Sequence, residues 1–196
     1  MTAATKPDTI AVSTSEIYTM NTNIVLGYHK LHPEAFPPVY ATSQSACFDL
    51  RVCLPAGKRE VDAWTINSEP TKYLAHVHDK MDPFILLQPG DRVLLPTQLV
   101  LDIPEGYSVR LHARSGLALK GGLVLANAEG VIDSDYTDQL MVAVMNMSKI
   151  NVRVNHGDRI CQGEIVHRLS CDFKELADPI PPKGDRKGGF GSTGKA

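Results

Sequence analysis

The residues best suited to chemistry sit in short, glycine-bearing stretches. Ala113 to Gly122 packs Arg114, Lys120, the hydroxyl of Ser115 and three glycines, Gly116, Gly121 and Gly122, into ten residues. Exposed amides, a hydroxyl and a guanidinium are what a chain offers to a phosphate. A second stretch, Gly130-Val131-Ile132-Asp133-Ser134-Asp135-Tyr136, sets two carboxylates and an aromatic ring in a bend between apolar segments. In extended backbone Asp133 and Asp135 point the same way, which suits a water activator beside a sugar or base platform. The same residues also describe an ordinary polar turn with surface aspartates, and local sequence does not decide between the two. A third stretch, Arg186 to Gly194, is basic and glycine-rich with one aromatic, Phe190. By composition alone it is a disordered tail.

The elements that must position these groups read as strands. In Phe48 to Leu54 the residues Phe48, Leu50, Val52 and Leu54 share one face, and Asp49, Arg51 and Cys53 share the other, which predicts a half-buried strand. From residue 84 onward the pattern is strongly β. Strands are expected at Phe84–Leu87, Val93–Leu95, Leu99–Ile103, Tyr107–His112, Leu123–Ala126, Leu140–Met145, Val152–Val154 and Ile160–Val166. Turn residues separate them, at Gln88-Pro89-Gly90-Asp91 and Pro104-Glu105-Gly106, with Asn155-His156-Gly157-Asp158 expected as a hairpin turn. Short strands with such turns predict an all-β sandwich, jelly roll or barrel. Leu140–Met145 is apolar on both faces and must be covered twice, and a subunit interface supplies the second cover in an antiparallel protein of this size. Thr71–Met81 fits a short helix or a strand. A partial strand is expected at Thr9–Val12, and the prolines between 33 and 38 impose an extended segment.

Composition bounds the function. The 196 residues fit one domain with a sizeable core, and the net charge of −2 argues against a nucleic-acid coating surface or a polybasic membrane patch. No run has the length of a membrane span and no secretion signal opens the chain, so a soluble, cytoplasmic or otherwise intracellular protein is expected. Cys47, Cys53, Cys161 and Cys171 form no CxxC pair and are expected as buried free thiols. His76 and His78 read as surface histidines because no third ligand is evident.

Five stretches together resemble the ordered motifs of the trimeric dUTPase family. They are Ser45-Ala46-Cys47-Phe48-Asp49-Leu50, Ala113-Arg114-Ser115-Gly116-Leu117-Ala118, Gly130 to Tyr136, Gly157-Asp158-Arg159-Ile160-Cys161-Gln162 and Gly188-Gly189-Phe190-Gly191-Ser192-Thr193-Gly194. The resemblance runs from about residue 40 to the C-terminus. It implies a jelly-roll-like all-β homotrimer with active sites at subunit interfaces, hydrolysing dUTP to dUMP and pyrophosphate with Mg²⁺. It implies an N-terminal extension over 1–40, a β domain over 41–174 with an insertion at about 55–84, and a C-terminal tail over 175–196 that closes over the site. Asp133 would activate the water that attacks the α-phosphorus. Tyr136 would pack under the deoxyribose and leave no room for a 2′-hydroxyl. Asn127 and backbone groups of the Gly130 to Tyr136 hairpin, Gly130 and Ile132 among them, would read uracil. Arg114, Ser115, Gly116 and Gln162 would hold the phosphates, and Asp49 would act near the metal through water. Phe190 would stack on uracil, with Arg186, Gly191, Ser192 and Thr193 closing on the substrate.

Three departures accompany the resemblance. Arg186-Lys187-Gly188-Gly189 is one residue short of the family's spacing, so either Arg186 or Lys187 takes the phosphate. Cys47 stands where the family has Gly. Residues 55–84 serve as a lid, an interface or a protein-partner surface, a surface excursion being the simplest reading. A dCTP deaminase-like activity, hydrolysis of another pyrimidine deoxynucleoside triphosphate and a non-catalytic nucleotide-binding regulator remain the alternatives at this level.

Overall fold

Alternating apolar residues form antiparallel strands because a ladder with apolar groups at every second position buries one face. The computed structural model describes residues 24–55, 60–78 and 81–185. In chain order the strands are β1 (Gly27–Lys30), β2 (Val39–Tyr40), β3 (Phe48–Arg51), β4 (Glu60–Trp64), β5 (Pro70–Leu74), β6 (His76–His78), β7 (Met81–Leu87), β8 (Arg92–Pro96), β9 (Leu99–Asp102), β10 (Tyr107–Ala113), β11 (Leu123–Leu125), β12 (Gly130–Asp133), β13 (Met141–Asn146), β14 (Val152–Asn155) and β15 (Arg159–His167). Two five-stranded sheets dominate, ordered β12-β10-β15-β3-β2 and β11-β13-β8-β4-β5. A three-stranded sheet, β14-β7-β6, and a β1-β9 ribbon complete the described residues. The two large sheets share one core: Phe48, Leu50, Val109, Leu111 and Ile160 of the first cluster with Val61, Ala63, Val93, Leu95, Val142 and Val144 of the second. The expected all-β class is what the chain adopts. No helix among the described residues is long and apolar enough to cross a membrane.

Several local expectations need correction. The strand expected to run to Leu54 ends at Arg51, after which Val52 N donates to Asp158 O and Cys53 N donates to Pro96 O. Asp49, expected on a solvent face, is only 6 % exposed because two arginine side chains cover it. Asn155 to Asp158 is not a hairpin turn. It carries the chain from β14, which pairs with β7, to β15, which pairs with β10 and β3. Residues 55–84 are more than a surface excursion: β4 and β5 form a hairpin that extends the second large sheet, with Val61 and Ala63 buried. Thr71–Met81 resolves into β5, β6 and the start of β7. Of the four thiols, Cys53 and Cys161 are buried, Cys47 is half-buried and Cys171 is exposed.

β13 carries Val142, Val144 and Asn146 inward, while Met141, Ala143 and Met145 on its other face stay half-buried. The second face is thus only partly covered within one chain. After β10 a single π-helical turn, Leu117–Gly121, ends at Gly122, whose φ of 66° is the left-handed conformation that spares only glycine a Cβ clash. Gly122 is therefore a turn into β11.

Candidate active site

One set of candidate residues is built on the link between the two large sheets. β11 belongs to the second sheet and β12 to the first, so the turn over 126–129 crosses from one to the other. The crossing is tight. Ala128 is forced to a φ of 62°, and Glu129 N donates to Asn127 O at 2.7 Å. Such a conformation costs a non-glycine residue roughly 1–2 kcal/mol. Gly130 then enters β12 opposite Leu111, where a Cβ would lie 2.9 Å from the Leu111 Cβ. Only glycine lets β12 approach β10 there.

A cleft of about 590 Å³ opens beside this turn, and Asn127, Gly130, Ile132, Asp133, Asp135 and Tyr136 line it. Five of these are expected site residues that the fold brings together. Tyr136 N donates to Asp133 O at 3.2 Å, which closes a turn behind the carboxylate. The Tyr136 hydroxyl donates to Gln139 O at 2.9 Å and so fixes the ring, which stays 40 % exposed. Asp133 and Asp135 also border a second cleft with Glu105 and Arg168, although the extended backbone expected between them is a turn, β12 ending at Asp133.

A second set gathers at the far end of β10. Asp49 on β3 accepts from Arg114 Nε at 3.2 Å through one carboxylate oxygen and from Arg159 Nη1 at 3.0 Å through the other. Arg114 Nη1 also donates to Arg159 O at 3.3 Å. Gln162 lies between them in the ladder, opposite Asp49 on one side and His112 on the other. Ser115 and Gly116 are exposed just beyond Arg114. This corner offers two guanidiniums and a hydroxyl to an anion while Asp49 holds both cations in place. The Cys161 thiol beside it is pushed up to about 12, by burial first and then by the Asp49 charge, so it stays neutral and is no nucleophile. Arg159 is the residue that sequence reasoning missed. It stood in a quoted motif, but its partner Asp49 is 110 positions away in the chain.

Asp133 and Arg114 do not meet within one chain. Asp133 pairs with Ser108 near the start of β10, and Arg114 follows its end. Six residues of extended strand are about 20 Å. The sets also flank β10 on opposite sides, since β12 adjoins one edge and β15 with β3 the other. Arg186, Phe190, Gly191, Ser192 and Thr193 lie outside the described residues, as does the strand expected at Thr9–Val12.

The family model described as dUTPase matches residues 81–194. A deoxyuridine 5'-triphosphate nucleotidohydrolase of Caulobacter vibrioides is 38% identical over 157 residues, which is 80% of this chain and 84% of that protein. The protein of the same description from Roseobacter denitrificans is 35% identical over 157 residues, with 80% and 86% covered. Among solved structures, the Staphylococcus bacteriophage 80alpha dUTPase with dUPNHPP superposes with a TM-score of 0.65 at 21% identity, over 87% of this chain and 98% of that one. The Streptococcus mutans dUTPase gives 0.55 at 24% identity, over 75% and 99%. A dUTPase of phage phi11, at a TM-score of 0.57 and 20% identity over 79% and 97%, is described with a structural Mg(II) ion.

Proposed function

The chain belongs to the dUTPase family, and from that premise we propose how its residues divide the work of hydrolysing dUTP to dUMP and pyrophosphate. The uracil and deoxyribose occupy the cleft lined by Asn127, Gly130, Ile132 and Tyr136. Asn127 and the β12 backbone present hydrogen-bond groups that match uracil and leave cytosine mispaired, a difference that discriminates strongly in a closed site. The Tyr136 ring packs against the sugar and excludes a 2′-hydroxyl. Asp133 accepts a proton from the attacking water, whose oxygen bonds to the α-phosphorus as the bond to the β-phosphate bridging oxygen breaks and pyrophosphate leaves. Arg114, Ser115, Gly116 and Gln162 hold the phosphates and offset the charge that develops there. Phe190, Arg186, Gly191, Ser192 and Thr193 close over the substrate and exclude bulk water.

The donor set fits a magnesium ion carried by the substrate's own phosphates and by water. Among the described residues no three carboxylates converge, and both oxygens of Asp49 are already engaged by arginines. Asp49 therefore reaches such an ion only through water, as Mg²⁺ with its retained hydration allows. When bound, the ion would neutralise phosphate charge and favour departure of pyrophosphate.

The observation that carries this reading is the separation of the two residue sets. A water activated by Asp133 and phosphates held by Arg114 belong to one reacting group, yet the two side chains sit at opposite ends of β10. The site is therefore shared between copies, and a homotrimer with three interfacial sites satisfies this. The partly covered outer face of β13 gives such an assembly an apolar surface to bury. Mixing two inactive variants tests the reading. Asp133→Asn and Arg114→Ala each lower turnover about 10²–10⁴-fold alone. Co-refolded in equal amounts they regain about one quarter of wild-type activity, because random assembly pairs an intact Asp133 with an intact Arg114 at that fraction of interfaces. Absence of recovery in correctly assembled mixtures overturns the shared site.

A further inference from the structure

Cys47 departs from the family pattern, and neither the core nor the proposed chemistry uses its thiol. The structure gives it neighbours. Cys47 Sγ, a ring nitrogen of His112 and a carboxylate oxygen of Glu164 all lie within 4.8 Å of one another, and all three residues are half-buried. His112 Nε2 is 3.0 Å from Glu164 Oε2. Behind the ring, His112 Nδ1 is 3.8 Å from Glu129 Oε1, and Arg110 Nη1 is 3.5 Å from Glu129 Oε2.

We propose that Cys47, His112 and Glu164 form a binding site for a borderline-soft divalent cation, zinc foremost, distinct from the magnesium that accompanies the substrate. Thiolate, imidazole and carboxylate are the zinc donor set, whereas magnesium prefers oxygen alone. At bond lengths of about 2.0–2.3 Å, the ligand atoms of a tetrahedral zinc stand roughly 3.3–3.6 Å apart. The three atoms, all within 4.8 Å of one another, are little more than about 1 Å wider than that spacing. Glu129 places a carboxylate 3.8 Å from the other ring nitrogen, the side from which a second carboxylate orients a ligand histidine once it closes to hydrogen-bond length. Three protein ligands leave a fourth position for water.

His112 on β10 and Glu164 on β15 lie on strands that lead to the proposed phosphate-holding set, and Cys47 sits in the bend just before β3. Cys47 is two residues before Asp49, His112 is two before Arg114, and Glu164 is two after Gln162. Residues two apart on extended chain share a face. A bound zinc ties β3, β10 and β15 together next to Asp49, Arg114 and Gln162. Binding of the ion does not depend on the dUTP reading, so the experiment reads the metal directly.

The full chain, freed of metal by a chelator and kept reduced with a phosphine, is titrated with zinc by calorimetry and with cobalt(II) by absorption. One ion per chain is expected, with a thiolate-to-cobalt charge-transfer band and a thermal midpoint that rises with zinc. Cys47→Ser abolishes the band and the midpoint shift. Glu129→Gln keeps the band and weakens zinc binding about 10–100-fold. Cys171→Ser changes neither. His112→Gln repeats the loss if Cys47→Ser folds poorly, and circular dichroism identifies the folded variants. Absence of zinc uptake by the wild-type chain overturns the proposal, as does an undiminished band in folded Cys47→Ser, which would place the ion on another thiol.

Discussion

Asp49 is a buried carboxylate that two cations share. Removing both would leave an uncompensated buried charge, which costs several kcal/mol, so Arg114 and Arg159 are structural partners of Asp49 whatever they do for an anion. With Arg159 gone, Arg114 becomes the sole counter-ion and is drawn toward Asp49 and away from phosphate. Arg159→Ala is expected to lower kcat/KM for dUTP about tenfold while unfolding free energy falls by only about 1 kcal/mol, the Arg159 side chain being well exposed. Unchanged steady-state kinetics would rule out a role for Arg159 in keeping Arg114 available to phosphate. Gly163 is a purely steric case. A Cβ there would lie 2.3 Å from Phe48 Cε2, and the Phe48 ring is 2 % exposed with nowhere to move. Gly163→Ala is expected to cost about 1–3 kcal/mol of stability, and an unshifted urea midpoint contradicts this. Neither role could be read locally, because Gly163 looks like any residue of the Ile160–Val166 run until β15 is set beside β3.

β10 is the element that spaces the site. Its pairing with β12 places Asp133, its pairing with β15 places Gln162, and its end releases Arg114 into the exposed turn with Ser115 and Gly116. The length of this strand, rather than any single side chain, keeps Asp133 and Arg114 of one chain apart. The tail is the element expected to complete the site from outside the described residues. A chain ending at Asp185 is expected to keep the circular dichroism and thermal midpoint of the full chain and to lose at least tenfold in kcat with dUTP. Full turnover by the shortened chain would leave the tail as the disordered segment its composition suggests. The β4–β5 hairpin shows the converse. Its mixed composition resembled a surface excursion, yet Val61 and Ala63 supply core that β8 could not cover alone.

At the scale of the whole molecule, the proposed chemistry calls for further copies, because Asp133 and Arg114 stand apart within one chain. It also stores a pH dependence in its buried thiols. Burial raises Cys53 to about 11 and Cys161 to about 12 from the ordinary 9.0. Above pH 9 the unfolded chain ionises these thiols while the folded chain keeps them protonated, so the folded state binds more protons. The stabilisation is complete below about pH 9 and is lost as the pH climbs toward the folded values. The urea midpoint should therefore fall between about pH 8 and pH 10.5, and Cys161→Ala should flatten that fall. A midpoint that rises over this range contradicts the assignment.

The sequence by itself determined the chemistry on offer and the kind of element that offers it. The hydroxyl, guanidinium and carboxylate inventory is a matter of residue type, and the all-β class follows from a period of two residues and from turn-forming Gly, Pro, Asn and Asp, all of which act within a few bonds. The tertiary structure alone decided which groups meet. Asp49 faces Arg114 and Arg159 across gaps of 65 and 110 residues, Cys47 finds His112 and Glu164 on two other strands, and the turn before Asp158 passes between sheets instead of closing a hairpin. Those outcomes depend on strand order and register, and register is set by the packing of the common core, a sum over many distant residues that no local stretch contains.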